Sequence, residues 1–167
     1  ENAHNDAREL SELRYLLAGG AQINESFMNK FSEWTYPILE VVQERHGDDD
    51  WIFQKVRLLC DASADVNVSD ADGLTPLYTI LYMNERLRGE NEKKREIMEV
   101  RVIQLLHRYG AERAPTMVGV LCHHLRQGGP FANMLVLLEI GVDKDEIEET
   151  TGHSAFMIAL EMKRWDV

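Results

Sequence analysis

One short phrase recurs four times along the chain, and any fold the chain adopts has to give its four copies the same local structure. Residues 13–24 (LRYLLAGGAQIN), 56–67 (VRLLCDASADVN), 103–112 (IQLLHRYGAE) and 134–143 (MLVLLEIGVD) each carry an apolar residue seven positions before a small residue. An apolar pair lies between the two, and alanine or valine follows. The small residues are Gly20, Ser63, Gly110 and Gly141. A helix that closes through a left-handed residue needs this pattern, because glycine enters that region without steric cost and the next residue folds back against the helix. Ser63 departs from the rule. The anchors are separated by 43, 47 and 31 residues, so the repeat is irregular, with extra chain between the paired helices.

Residues 55–82 supply both a stop and a start. Val56, Leu59 and Cys60 stand at helical spacing, and Asp70, Ala71, Asp72 and Gly73 form a tight-turn composition. Thr75 is placed to cap a second helix, and Pro76 suits its first position because proline lacks the N–H that is unused there. This junction resembles that between two ankyrin repeats, whose signature contains a Thr-Pro-Leu-His run and whose unit is about 33 residues. Tyr36-Pro37-Ile38 stands in for the run without its threonine, and Gly152-His153-Ser154-Ala155-Phe156 degrades it while keeping its order. The resemblance implies an all-α, ankyrin-repeat-like α-solenoid of stacked helix pairs with projecting turns. It would be one domain over 1–167, with a partial repeat at 7–34, repeats at about 35–74, 75–114 and 115–152, and a terminal helix at 153–167.

The expected helices run from Ala7 to Ala18, with Leu10, Leu13, Leu16 and Leu17 on one side, from Pro37 to Glu44, and from Trp51 to Ala62. Further helices are expected over Pro115–Leu125, Phe131–Ile140 and Ser154–Arg164. Residues 1–6 read as a frayed end. The stretch 83–100 is the largest insertion, in which Gly89 marks a polar tip between two elongated helices. Beyond it Ile97, Val100, Ile103 and Leu106 carry an apolar stripe onward.

Composition narrows the function. A chain of 167 residues with 44% apolar and 28% charged residues can bury a sizeable core. No apolar run approaches the roughly 20 residues that cross a bilayer. Neither an initiator methionine nor a signal-peptide pattern begins the chain, which reads as an excised or processed fragment. With 29 acidic and 18 basic residues the net charge is −11, which repels a phosphate backbone and favours a basic protein surface as partner. The two cysteines, Cys60 and Cys122, fall in apolar helical pattern, which suits packing in a reducing, cytoplasmic compartment.

Several residues invite chemistry. Asp48, Asp49 and Asp50 are consecutive and lack the alternating spacing of calcium ligands, and Asp70-x-Asp72-Gly73 has Leu81 where a calcium loop needs glutamate. Cys122, His123 and His124 are adjacent on a helix and point about 100° apart, whereas helical zinc ligands converge at spacings of three or four. No nucleophile-base pair, phosphate loop or cofactor motif is present in the sequence. The resemblance implies a non-enzymatic adaptor or scaffold module without cofactor, monomeric when alone, that binds a protein or peptide on the concave face built from turn tips and inner helices. The alternative is a dedicated acidic inhibitor of a basic enzyme.

By their position in the motif, the resemblance implies partner contact by Phe27, Phe31 and Trp34 in the projecting turn 21–34, by Asp70 and Asp72 at a turn tip, and by Tyr78 and Tyr82, four apart on one face of the inner helix. For the aromatic turn two readings remain, an anchor patch or folding down onto neighbouring helices. For the two tyrosines the readings are a concave groove or core packing.

Overall fold

Left-handed residues sit at all four predicted helix ends. In the computed structural model, Gly20, Ser63, Gly110 and Gly141 have φ of 81°, 68°, 88° and 86°. Each donates its N–H three residues back, to Leu17, Cys60, His107 and Leu138, at 2.9–3.1 Å. The following residues, Ala21, Ala64, Ala111 and Val142, donate five back, to Leu16, Leu59, Leu106 and Leu137. Two carbonyls otherwise orphaned at each helix end are thereby satisfied. Ser63 takes the same conformation despite its Cβ, which costs roughly 1–2 kcal/mol in this region. Ser63→Gly is therefore expected to raise stability by about 0.5–1 kcal/mol, once the extra unfolded-chain entropy of glycine is subtracted. A rise of roughly 2 °C in the melting temperature would register it, and a fall would remove the strain argument.

The structure describes residues 2–44, 49–83, 92–113, 119–129, 131–148 and 151–162. Its elements are α1 (Asn2–Ala18), β1 (Phe27–Met28), β2 (Trp34–Thr35), α2 (Pro37–Val42), α3 (Asp49–Asp61), α4 (Pro76–Met83), α5 (Glu92–Arg108), α6 (Val120–Arg126), α7 (Phe131–Glu139) and α8 (Ala155–Glu161). The fold is mostly helical. Helices α1, α3, α5 and α7 pack in succession as one row, and the other row holds α2 against α4 and α6 against α8. The rows meet through α2 with α3, α4 with α5, and α6 with α7. Between them lies one continuous core that includes Leu39, Val56, Leu77, Ile103, Leu106, Leu137 and Ile158.

Helix starts follow the sequence in part. Pro37 and Pro76 open α2 and α4. The Thr75 hydroxyl accepts from the Tyr78 N–H at 3.4 Å, as its capping role requires. Ser154 caps α8 in the same way through Met157, whereas Tyr36, in the place of the missing threonine, makes no side-chain cap bond.

Five expectations are corrected. Helix α1 begins at Asn2, so the frayed end expected over residues 1–6 is helical from there. Leu16, expected on the packed side of α1, is exposed. Residues 27–35 are more than a turn: β1 and β2 pair antiparallel, Phe27 with Thr35 and Met28 with Trp34. Helix α6 starts at Val120 rather than at Pro115, after Gly119 at φ 67°, and residues 114–118 lie outside those described. Ile97 is exposed, and the buried stripe of α5 runs instead through Met98, Val102, Ile103, Leu105 and Leu106. Gly89 and the tip of the 83–100 insertion, with residues 163–167, also lie outside the described residues.

Polar links fix the spacing between successive pairs. Asn24 stands four residues after Gly20; its Oδ1 accepts from the Asp65 N–H at 2.7 Å and its Nδ2 donates to the Ser63 carbonyl at 3.1 Å. Asn67, four after Ser63, repeats the clasp one step on, accepting from the Glu112 N–H at 2.9 Å and donating to the Gly110 carbonyl at 3.0 Å.

Lys55 on α3 is nearly buried and reaches Glu9 on α1 at 2.8 Å and Glu44, just past α2, at 2.9 Å. Burial works against its charge, but the hydrogen bonds and charges of Glu9 and Glu44 outweigh this and raise its pKa. Its stabilising contribution is accordingly complete below the unfolded value of 10.5 and is lost as pH climbs through the higher folded value. Lys55→Met is expected to cost about 2 kcal/mol at pH 7, less than a fully buried pair, because the two carboxylates keep some water. Urea titrations of both proteins should show the gap narrowing above pH 10.5; a gap that does not change with pH would contradict the charge-based account.

Candidate functional site

The hairpin between α1 and α2 carries the densest exposed aromatic surface among the described residues. Asn29 holds its loop: the side-chain oxygen accepts from the N–H groups of Phe31 at 2.9 Å and Glu33 at 3.1 Å. The Asn29 N–H donates to the Glu33 carbonyl at 2.9 Å. Ser32 sits at φ 64°, and its N–H donates to the Asn29 carbonyl. The loop therefore has a defined shape although its side chains reach solvent.

Side-chain direction follows from strand alternation. Thr35 is buried, and Phe27, directly across from it, shares that inward face and is the least exposed of the aromatics here. Met28 and Trp34 face each other on the opposite, outward side, and both are exposed. Phe31 at the tip is exposed too, with the Lys30 ammonium 5.1 Å from its ring centroid. The surface is thus built from Met28, Phe31 and Trp34, with Phe27 at its inner margin. Met28 is not among the contact residues expected from the sequence, and its pairing opposite Trp34 brings it to this surface.

The other predicted residues are placed differently. Asp70 is committed to its own turn, where Oδ1 accepts from Asp72 N–H at 3.0 Å and Leu74 N–H at 2.9 Å. Asp72 is exposed at the tip beside it. Tyr78 is half-buried and packs against the core, which is the packing reading rather than the groove. Tyr82 falls in the last turns of α4, with its side chain outside the described residues.

Groups with chemical potential are mostly tied down. Burial pushes the Cys60 thiol up to about 11, helped by the Asp61 charge, which keeps it protonated near neutral pH. Burial also raises the Cys122 thiol, and Glu148 and Glu146 add to the shift. The Cys122 Sγ donates weakly to the carbonyls of Glu146 and His153, both at 3.8 Å. The His124 ring is buried in α6 and lies where Gly129 has no side chain. Among the described residues no three His, Cys, Asp or Glu side chains are grouped to hold a metal ion.

Ion pairs join neighbouring elements. Asp50 meets Arg101 at 2.7 Å, and this bond holds its carboxyl below the usual range. The Arg101 guanidinium also stacks 3.9 Å from the Phe53 ring centroid. Glu148 is held low by the Thr151 hydroxyl and by Arg126, which it pairs with at 3.2 Å. Tyr109 donates to the Asp61 carboxylate, joining the ends of α5 and α3. No described helix is long and apolar enough to cross a membrane. Compared with known proteins, the chain matches no protein-family model and no curated protein sequence.

Proposed function

We propose that the chain is a non-enzymatic interaction module, a divergent ankyrin-like solenoid that binds another protein or a peptide through its projecting turns. The repeat reading is supported by the two-bond closure that ends α1, α3, α5 and α7 at the same place in the recurring phrase, a closure α6 also makes through Gly128 and Gly129, and by the two Asn clasps in identical register. The binding reading rests on a single observation: Met28, Phe31 and Trp34 stand exposed on a hairpin whose loop is held by Asn29. Large rigid side chains already in position lose little entropy on docking, and such residues dominate interface energetics. The net charge of −11 favours a basic partner surface. Two buried free thiols, Cys60 and Cys122, favour an intracellular reducing compartment.

The test is capture from native extract followed by calorimetry on the purified pair. The double substitution Phe31→Ala, Trp34→Ala is expected to weaken binding by roughly 30-fold or more while leaving the melting temperature within a few degrees. Unchanged affinity would remove the hairpin from the interface. The same acidity favours a second reading, a dedicated inhibitor that covers the site of a basic enzyme. Copurification with one such enzyme whose activity is abolished by the wild type and restored by the double variant would select it.

A further inference from the structure

The units differ in how their helices are covered. The second and sixth helical positions are Ile38 and Val42 in α2, Leu77 and Leu81 in α4, and Leu121 and Leu125 in α6, and none of the six is more than 5% exposed. Each of these helices is packed by the next helix of the opposite row: α3 on α2, α5 on α4, α7 on α6. In α8 the same two positions hold Phe156 and Leu160, which are 67% and 41% exposed. They border an apolar groove of about 570 Å³ between α6, α7 and α8, to which Phe131 and Leu135 also contribute.

The other row shows the reciprocal feature. The leucine four before the closing residue is buried in α3, α5 and α7, as Leu59, Leu106 and Leu137. Its counterpart in α1 is Leu16, 57% exposed, beside the still more exposed Tyr15. Among the described helices of the second row, α8 therefore leaves this ridge open. Among the described helices of the first row, α1 leaves this leucine open. These are the two halves of an interface the chain makes three times within itself.

We propose that a second copy of this chain occupies the groove, seating its Tyr15 and Leu16 against Phe156 and Leu160 in a head-to-tail arrangement. Asp145 supports the register. It lines the groove and stands four residues after Gly141, as Asn24 and Asn67 stand after Gly20 and Ser63. Asn24 accepts the N–H two residues past the next closing residue. Asp145, an acceptor only, would take the corresponding N–H of Gln22 from the incoming copy. Because the two surfaces differ, the contact is heterologous and does not close at a dimer. Each copy carries −11, so association opposes net repulsion and strengthens with added salt, unlike an ion-pair contact. The proposed arrangement differs from the monomer expected from the sequence.

Sedimentation velocity on the full chain tests this, with wild type, Leu16→Glu, Phe156→Glu, and an equimolar mixture of the two variants. Both residues are exposed, so helical circular dichroism and melting temperature should be unchanged. Wild-type mass should grow with concentration past the dimer, and each variant alone should remain monomeric. In the mixture the intact groove of one variant meets the intact α1 of the other, and growth should stop at the dimer. Wild type that stays monomeric at every concentration overturns the proposal, including when its groove takes a helix of another protein. Self-association that either single variant retains, or variants that do not associate when mixed, overturns it as well.

Discussion

Replacing Leu106 by alanine is expected to destabilise the protein by about 3–4 kcal/mol, lowering its melting temperature by roughly 10 °C. Leu106 is fully buried in α5, whose neighbours are α3, α4 and α7, and its carbonyl closes the helix by accepting from Ala111. Truncation removes the apolar contact and leaves a cavity between rigid helices, which collapse only partly. The control is Leu16→Ala, which alters the same position of the phrase in α1. There the side chain is exposed, and the change should stay within about 0.5 kcal/mol when measured on dilute, monomeric protein. Equal costs for the two substitutions would show that the phrase stabilises through its local sequence, with burial between the rows contributing little.

Gly129→Ala is expected to cost about 2–3 kcal/mol, for a reason that has nothing to do with backbone freedom. A Cβ at this position would overlap the Cε1, Nε2 and Cδ2 atoms of the His124 ring. The ring is buried and cannot swing into solvent, so either it or the turn that follows α6 must move. That turn is itself fixed, since Gly128 and Gly129 donate to the carbonyls of Leu125 and His124 at 3.0 and 2.9 Å. In a His124→Ser background the alanine should be nearly neutral, and the coupling in this double-mutant cycle should account for most of the single-variant cost. An additive cycle would place the strain in the backbone instead.

The parts of the fold legible in the sequence are those governed by bonds within a few residues. The closures at Gly20, Gly110 and Gly141, the Thr75 cap and the opening prolines involve partners three to five positions apart, so residue type alone specifies them. Ser63 shows that position can prevail over type, because the surrounding helix imposes the left-handed conformation on a residue that resists it. What stayed hidden depends on distant chain. Lys55 meets Glu9 from 46 residues away, and nothing in its local pattern separates it from a surface lysine. Leu16 and Leu106 occupy equivalent positions and differ in burial only through which helices lie across them.

The same division applies to the candidate site. The sequence places Phe27, Phe31 and Trp34 in a projecting turn, but only the register of β1 on β2 decides which of them fold inward and which stand out. That register separates Phe27 from Trp34 and brings Met28 to the outer face. Asp70 matched its turn chemistry and is spent on it, and Tyr78 turned out to serve the core.

The Asn24 and Asn67 clasps have an evolutionary implication. Each grips a main-chain carbonyl and a main-chain N–H, groups that nearly every amino acid supplies, so the joint makes no demand on which side chains its neighbour carries. A molecule jointed in this way can replace most of its surface letters while its pitch is preserved. Its ancestry would then be written in spacing and hydrogen-bond geometry, long after it has faded from the spelling.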